Sequence, residues 1–409
     1  MLSARPRIFL GTSDTASCLT ALAHGFAANG CATTTMVTQK QVYTPHARYD
    51  VVRGRELLMR YDYESAPKIV RGVARRLDLK LSVALNTVAS PSYIRNHDVF
   101  VFIVEPWAPA RVLFPLLKRL GKKVIVYYLG SDVRHVSALA QEYGADTSNW
   151  GTAFEREPLD PKVQRIRWAE LYADLIYSVP DQAGLQIRPY RHARVPVEAD
   201  IERHVPGRAR PMIIHAPSRR DLKGTSFVVA AVEQLRAEGR AFDFQLLSGV
   251  PRKEVIAAIE KSDIVVDELI LHGPGVLSAE GMFGGCAVAT RIIEPPFPFF
   301  SPPVCCVTPE TIKDRLRRLI TDVPYRVELA ARGTEWARTT FAPANIAAEI
   351  LRALEGEDLP QYVPRFYLEG YRPTQPLSTR SRALSLKVAN RFRPETMSIL
   401  ADAARRGVA

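Results

Sequence analysis

The chain has 409 residues, of which 47% are hydrophobic and 24% are charged, and its formal net charge is +12 at pH 7. This length predicts two or three domains, each large enough to bury a core, and the composition is typical of globular proteins. No apolar run approaches the roughly 20 residues of a membrane span, and the first residues lack the apolar core of a signal peptide. The five cysteines show no metal-type spacing, which favours reduced thiols in a cytosolic protein.

The positive charge indicates an anionic partner, either nucleotide phosphates, an anionic membrane surface or nucleic acid. Nucleic acid is the least favoured, because no helix-turn-helix, zinc-finger or RNP-type pattern occurs. Residues 68–80 and 111–123 combine apolar positions at helical spacing with many Lys and Arg residues. Such helices are typical of membrane surfaces and also of ordinary solvated helix faces, so both interpretations stay open. We expect peripheral association with an anionic membrane through the first domain.

The first domain, placed at 1–195, begins with a predicted strand at 7–10, followed by Gly11 in a tight turn and by helix caps at 12–15. Continuous apolar runs at 98–104 and 123–129 predict buried parallel strands that end in polar loops. The candidate ligand-binding residues at these loops are Glu105, Asp132, Arg134 and His135. For each of them a structural role, such as a helix cap by Asp132, is an equally good interpretation.

The second domain, placed at 196–360, begins with a predicted strand at 212–216 and a helix from residue 225. Arg219, Arg220 and Lys223 lie between them. A helix N-terminus carries partial positive charge and disfavours nearby cations. Cations gathered there indicate a bound anion, held by the basic side chains together with free backbone N–H groups. The alternative is that all three side chains point into solvent.

A second strand–loop–helix unit follows, with a predicted strand at 263–267, a tight loop at 272–275 and a short helix that Ser278 opens. Glu280 is predicted in the first turn of this helix, where it either complements the helix dipole or binds sugar hydroxyls beside a phosphate. Two such units fit the carboxyl edge of an open parallel sheet, where these sheets bind ligands.

The segments 217–225, 263–268 and 275–285 resemble the C-terminal domain of GT-B glycosyltransferases, and most closely the family 4-like branch of retaining enzymes. The resemblance implies an α/β fold of two Rossmann-like, doubly wound domains that face a central cleft. It also implies that Lys223 binds the diphosphate of a nucleotide-sugar and that Glu280, the second Glu of an E-x7-E motif, binds its ribose. The predicted donor-binding residues are Arg219, Arg220, Lys223, Gly275, Ser278, Glu280, Gly11 and Thr12.

The sequence departs from the pattern of this family at several positions. His272 replaces the first Glu of E-x7-E, which contacts the donor hexose in the family, and Ser218 stands at the usual Arg position, so that Arg219 or Arg220 must substitute. Segment 130–134 resembles the N-terminal domain of the same branch, but Val101 and Ile103 stand where the family often has His. The candidate catalytic residues are His272, Glu105 and Asp132.

The sequence thus predicts a hexosyltransferase that uses a nucleotide-diphosphate sugar as co-substrate, without a further cofactor. Because no Asp-x-Asp occurs, we expect no metal, and Lys223, an adjacent Arg and a helix N-terminus would stabilise the leaving diphosphate. The expected acceptor is a glycan, a lipid-linked or a small molecule in surface polysaccharide or glycoconjugate biosynthesis, at the inner face of the cytoplasmic membrane. The alternatives are a non-catalytic GT-B subunit of a glycan-synthesising complex and a GT-B sugar-nucleotide epimerase.

Residues 361–409 form a predicted basic extension, with a last helix at 395–406. In GT-B folds the final segment often crosses back to the first domain, so we expect this extension to pack there.

Overall fold

The computed structural model of the chain describes residues 5–38, 48–52, 90–130, 132–134, 158–180, 184–198, 200–292, 301–364 and 377–405. The predicted basic helix at 68–80 and the candidate His135 lie outside these residues. The chain divides into two compact units. Unit 1 takes its described residues from 1–143, 155–193 and 346–409, and unit 2 takes its own from 194–345. The boundaries inferred from the sequence, after 195 and after 360, stay predictions of domain limits.

The described strands are β1 (Ile8–Thr12), β2 (Thr33–Val37), β3 (Val51–Val52), β4 (Val99–Ile103), β5 (Lys123–Tyr127), β6 (Leu175–Ser178), β7 (Arg191–His192), β8 (Met212–His215), β9 (Asp243–Leu246), β10 (Ile264–Val266), β11 (Ala287–Thr290) and β12 (Cys305–Cys306). The described helices are α1 (Cys18–Ala28), α2 (Ala110–Arg119), α3 (Leu159–Tyr172), α4 (Arg220–Lys223), α5 (Thr225–Ala237), α6 (Arg252–Ile259), α7 (Val276–Phe283), α8 (Ile312–Thr321), α9 (Val323–Thr340), α10 (Pro343–Glu355) and α11 (Thr379–Arg405).

Unit 1 contains a parallel sheet in the order β3-β2-β1-β4-β5-β6-β7. All five residues of the central strand β4 are buried, as expected for a strand covered by helices on both faces. Aromatic rings fill one layer of this core, with the Phe9 and Trp107 ring centroids 4.9 Å apart and those of Phe102 and Phe114 5.4 Å apart.

The start of unit 1 differs in one respect from the sequence prediction. Gly11 does not form a turn after the first strand; it lies inside β1, paired with Met36 on one side and Phe102 on the other. The predicted helix caps at 12–15 contain the residue that caps α1, because the Asp14 carboxylate accepts the N–H of Leu19 at 2.8 Å. A side-chain oxygen at this place satisfies a backbone donor that has no partner inside the helix.

The last helix of unit 1, α11, comes from the C-terminal part of the chain and packs against α3. Ser385 accepts a hydrogen bond from Arg167 at 2.9 Å, and Arg391 donates to the carbonyl of Leu171 at 2.8 Å. Its buried residues Val388 and Phe392 join an apolar cluster with α3. The helix begins at Thr379, sixteen residues earlier than the predicted start at 395. Leu384, Val388 and Phe392, spaced four residues apart, form the apolar side of its first half.

Unit 2 contains a second parallel sheet, in the order β12-β11-β10-β8-β9. Its core joins the inner faces of β8, β10 and β11 to the apolar sides of α5, α8 and α9. The predicted class, two doubly wound parallel α/β domains, is confirmed. Within the described parts of both units, no helix is long and apolar enough to cross a membrane.

Candidate functional site

Each sheet reverses its winding direction at one point, and several predicted site residues follow the strands beside these two points. In unit 2 the chain leaves β8 toward β9 on one side and leaves β10 toward β11 on the other side. In unit 1 the reversal lies between β1 and β4 in the same way. Open parallel sheets bind ligands in the crevice beyond the carboxyl ends of such strands. The two edges are therefore the places to examine for chemistry.

Lys223 lies at the unit 2 edge, at the end of the one-turn helix α4. The turn closes at Gly224, whose φ of +69° and whose close approach to Leu269 leave no room for a side chain. The Lys223 Nζ donates to Asp267 Oδ1 at 2.7 Å and to Glu268 Oε1 at 2.5 Å. The lysine side chain is 15% exposed and the Asp267 side chain is fully buried. One cation thus bridges two carboxylates that directly follow β10.

The second oxygen of Asp267 binds the beginning of α7. Its Oδ2 accepts the N–H of Gly275 at 3.2 Å, the N–H of Ser278 at 3.2 Å and the hydroxyl of Ser278 at 2.7 Å. Gly275 permits this approach, since an added Cβ would lie 2.9 Å from that oxygen. A carboxylate here stabilises the helix, because α7 presents unpaired N–H groups and positive partial charge at this end.

The charges of this cluster reinforce one another. Burial alone would lower the pKa of Lys223, but the charges of Asp267 and Glu268 outweigh burial and hold that pKa above its usual value. Burial would likewise raise the pKa of Asp267, and the charge and hydrogen bond of Lys223 lower it instead. Lys223 and Asp267 are therefore both charged near neutral pH.

The chain itself supplies an anion to Lys223, but this anion binds the N-terminus of α7 and not that of α5, where the sequence predicted a bound anion. Asp267 occupies the position between Lys223 and the N-terminus of α7, and Arg219 forms a two-point ion pair with Asp221, with a shortest distance of 2.6 Å. Arg220 is exposed and donates to the Ser248 hydroxyl at 3.3 Å. Each of the three predicted cations thus already has a partner within the chain.

Glu280 lies in the second turn of α7, because this helix begins at Val276. The prediction that it belongs to the first turn is therefore wrong, and it cannot serve the dipole as proposed there. Its side chain is 5% exposed and accepts a hydrogen bond from Arg252 Nε at 2.7 Å. Burial raises the pKa of Glu280, and the charge of Arg252 only partly offsets that effect.

His272 is 6% exposed and precedes Gly273, where an added Cβ would collide with Thr290. Burial, and secondarily the charge of Arg291, lower the pKa of His272 to about 4. The imidazole is therefore neutral at pH 7, and a titration near 6.5, the unperturbed value, is not expected from it.

His215 was not assigned a role from the sequence, yet it connects the two loops of the unit 2 edge. Its Nδ1 lies 2.9 Å from the carbonyl of Val266, and its Nε2 lies 2.9 Å from the hydroxyl of Thr225. Since a carbonyl only accepts, Nδ1 must carry the proton and Nε2 must accept from Thr225. Burial lowers the pKa of His215, which keeps the ring in this neutral form.

Asp267, Glu268 and Arg252 were also missed as site residues. The first two directly follow a buried strand next to β8, so their position at the carboxyl edge was readable from the sequence. The pairing of Arg252 with Glu280 could not be read from the sequence, because 28 residues separate the two.

At the unit 1 edge, the loops after β1 and β4 are joined through the backbone. The Thr12 hydroxyl donates to the carbonyl of Glu105 at 2.6 Å. The Glu105 side chain is 58% exposed and lies 4.0 Å from Arg165 Nε. Val104, which connects the end of β4 to Glu105, adopts a φ of +72°, a conformation that is uncommon for a β-branched residue.

Asp132 is buried and closes the turn after β5. Its carboxylate accepts the N–H of Gly130 at 2.7 Å and that of Leu129 at 3.1 Å, and burial raises its pKa. The nearby Arg165 donates to the carbonyl of Asp132 at 2.9 Å. Of the two carboxyl residues predicted to be catalytic in unit 1, Glu105 is the accessible one, whereas Asp132 is held by the backbone of its own turn. Arg134 follows this turn, and its carbonyl accepts from Lys162 at 3.0 Å.

Across the described parts of the chain, no group of three or more His, Cys, Asp or Glu side chains is arranged to hold a metal ion. The five cysteines are unpaired, and only Cys306 among them is exposed.

No protein-family model and no curated protein matches this chain in sequence. In structure it is similar to sucrose-phosphate synthase from Thermosynechococcus elongatus, at 13% identity and a TM-score of 0.57, over 86% of this chain and 98% of that one. It is also similar to Anabaena HepE in complex with UDP, at 12% identity and a TM-score of 0.52, over 86% of this chain and 99% of that one. At these identities the likeness shows the fold, and the GT-B fold inferred from the motifs is confirmed.

Proposed function

We propose that the protein is a nucleotide-sugar-dependent glycosyltransferase whose unit 2 binds the donor diphosphate beside Lys223. The observation that carries this proposal is the Lys223 ammonium at the point where the sheet reverses, against the N-terminal end of α7. The similarity of the fold to that of HepE in complex with UDP supports the choice of UDP as the first nucleotide to test.

The described residues have distinct roles in this proposal. An ammonium carries three donors, and Asp267 and Glu268 engage two of them. In this proposal a phosphate oxygen takes the third donor or replaces one of the carboxylate oxygens. Glu280, oriented by Arg252, binds the ribose. The neutral His272 donates or accepts one hydrogen bond with a sugar hydroxyl. The exposed Glu105 of unit 1 acts on the acceptor.

The finer parts of the proposal rest on the sequence resemblance. They are a hexose donor, retention of configuration, stabilisation of the leaving diphosphate without a metal, and an acceptor in surface polysaccharide or glycoconjugate synthesis. Lys223 and a helix N-terminus would supply the electrostatic stabilisation that departing phosphate charge requires.

One observation favours a second candidate, a non-catalytic GT-B subunit of a glycan-synthesising complex. Lys223 already balances two carboxylates, and Asp267 already fills the N-terminus of α7. A donor diphosphate must compete with these internal anions. In the non-catalytic candidate the ion pairs are permanent and the cluster only holds the two loops together.

Calorimetric titration with UDP, GDP, ADP and TDP, preceded by a thermal-shift screen, separates the two candidates. We expect one diphosphate to bind and Lys223→Met to weaken it about tenfold or more, because a charge-assisted hydrogen bond is worth roughly 1.5–3 kcal/mol. Binding of the corresponding nucleoside should change little. Lys253→Met, which removes an exposed lysine of α6, is the matched control.

Time-dependent hydrolysis of the matching nucleotide-sugar then tests catalysis. His272→Ala should lower turnover while the diphosphate affinity stays nearly unchanged, since the lost contact is to the sugar. No response to any of the four diphosphates would remove the transferase proposal in favour of the non-catalytic subunit. Binding of a diphosphate without hydrolysis of the matching nucleotide-sugar would keep the proposed donor site but would contradict the proposed catalysis.

A further inference from the structure

The helix α2 of unit 1 is apolar on two sides. Its inner side is formed by Ala110, Leu113, Phe114 and Leu117, which are all buried. Its outer side carries Val112, Leu116 and, at the end of the helix, Leu120, which are 57%, 40% and 52% exposed. Residues four apart on a helix lie above one another, so these three side chains form one continuous ridge. Because the inner side already anchors α2 to the sheet, the fold does not require the outer ridge.

Basic residues surround the ridge. Residues 110–123 include Arg111, Lys118, Arg119, Lys122 and Lys123 and no Asp or Glu. Lys118 and Lys123 pair with Asp174, and Lys122 donates to the carbonyl of His97. Arg111 and Arg119 are exposed beside the ridge. The outer surface of α2 thus combines an apolar strip with positive charge.

The helix α11 repeats this combination on the same unit. Its Leu386 is 65% exposed and its Met397 is 43% exposed. These residues are eleven positions apart, which is about three turns, so they share one side. Arg382 lies one turn before Leu386, and Arg393 lies one turn before Met397. Both arginines are exposed.

These two ridges account for most of the exposed large apolar side chains. Within the described residues, the others of this kind are Val205 and Phe227, both in unit 2. Both α2 and α11 pack against α3. Right-handed crossovers in one direction along a parallel sheet place their helices on one face, so α2 and α3 belong to the same helix layer, and α11 packs against this layer at α3.

We propose that unit 1 docks on an anionic lipid bilayer through the outer ridges of α2 and α11. The apolar side chains enter the boundary between headgroups and acyl chains, and the flanking arginines bind lipid phosphates. A basic residue near such a surface contributes about a fivefold gain in partitioning. Charge complementarity selects anionic lipid over a second copy of this chain, because two copies would bring like charges together. This docking does not depend on the proposed sugar-nucleotide site.

The test is flotation of the full chain, without nucleotide, on vesicles of phosphatidylcholine with or without phosphatidylglycerol. We expect binding that requires phosphatidylglycerol and fades as salt is raised toward about 1 M, where the Debye length falls to roughly 3 Å. The ridge variants Val112→Asn/Leu116→Asn/Leu120→Asn and Leu386→Asn/Met397→Asn should each lose at least tenfold in vesicle affinity. Arg111→Gln/Arg119→Gln should lose about 25-fold, at fivefold per residue.

Val205→Asn/Phe227→Asn changes two exposed apolar residues of unit 2 and should bind like the unmodified chain. Circular dichroism melts of all variants show whether a loss of binding reflects unfolding, and the arginine variant, which leaves the apolar residues intact, provides a second measure. Absence of binding to phosphatidylglycerol vesicles at low salt, or full binding by either ridge variant, overturns the proposal. Sedimentation that reveals a dimer dissolved by the α2 variant overturns it as well, in favour of contact between two copies.

Discussion

The reversal points of the two sheets differ in the contacts that hold their loops. At the unit 2 edge charged side chains meet one another, as Lys223 bridges Asp267 and Glu268. At the unit 1 edge side chains meet the backbone, as Thr12 binds the carbonyl of Glu105 and Asp132 binds the N–H of Gly130. Both arrangements hold two loops in register, but they differ in what a ligand can replace.

A charged partner can be exchanged for a ligand of the same charge. A phosphate oxygen can take the place of a carboxylate oxygen on the Lys223 ammonium, since both accept charge-assisted hydrogen bonds. A backbone carbonyl or N–H group cannot leave its position without a change in the loop itself. The comparison therefore assigns the response to an anionic ligand to unit 2 and a fixed framework to unit 1.

The largest effect is expected from removing the cation of unit 2. Lys223→Met keeps the length of the side chain but leaves two carboxylates uncompensated, and breaking a buried ion pair in this way costs about 3–5 kcal/mol. Denaturant unfolding should show this loss of stability, and Lys253→Met should show almost none. A loss below about 1 kcal/mol would mean that water already screens the cluster.

The next effect concerns acid stability through His272. Its pKa is lowered from 6.5 to about 4 in the folded chain, so the unfolded state binds a proton at a higher pH than the folded state does. Stability from the neutral imidazole is complete above pH 6.5 and is lost as the pH falls toward 4, by roughly 3 kcal/mol in total.

His272→Gln removes this proton-binding difference. The free energy of unfolding of the variant, measured from pH 7 to pH 4, should fall by about 3 kcal/mol less than that of the unmodified chain. Parallel curves for both proteins would contradict the burial of a neutral ring.

A smaller effect is expected on ligand affinity. Glu268→Gln removes one of the two carboxylates that compete for Lys223, so the affinity for UDP should rise about tenfold, the value of one charge-assisted hydrogen bond. Calorimetric titration measures it, with Glu254→Gln on the exposed side of α6 as the control. An unchanged or weaker affinity would show that Glu268 does not compete with the ligand.

The smallest effect belongs to unit 1. Thr12→Val removes one hydrogen bond to the backbone and should lower the free energy of unfolding by about 1 kcal/mol. The UDP affinity should stay the same, because no charge at the unit 2 edge changes. A weakened UDP affinity in this variant would link the two edges and break the comparison.

The fold class was predictable because buried parallel strands leave continuous apolar runs, such as Val99–Ile103, that no surface segment imitates. The placement of Lys223 after β8 was predictable for the same reason. Its partners were not, since Asp267 lies 44 residues away and only the order of strands brings the two together.

Local boundaries were harder to predict than the fold. Gly11 is readily interpreted as a turn, yet its neighbours Met36 and Phe102 draw it into the sheet. Glu280 lies in the second turn of α7 and not in the predicted first turn, because the helix already starts at Val276. Asp267, from another loop, caps the helix there. The neutral state of His272 depends on burial, and burial is a property of the folded chain that the motif does not contain.

The position of α11 has a consequence for the order of events on the ribosome. The hydrogen bond between Arg167 and Ser385 joins residues 218 positions apart, and the apolar cluster of Leu171 and Ile187 receives Val388 and Phe392 from the same late segment. Unit 2 is synthesised in full before this segment emerges. The unit that begins the chain is therefore the last to be completed, and a nascent chain arrested before residue 379 would present the uncovered side of α3 to chaperones.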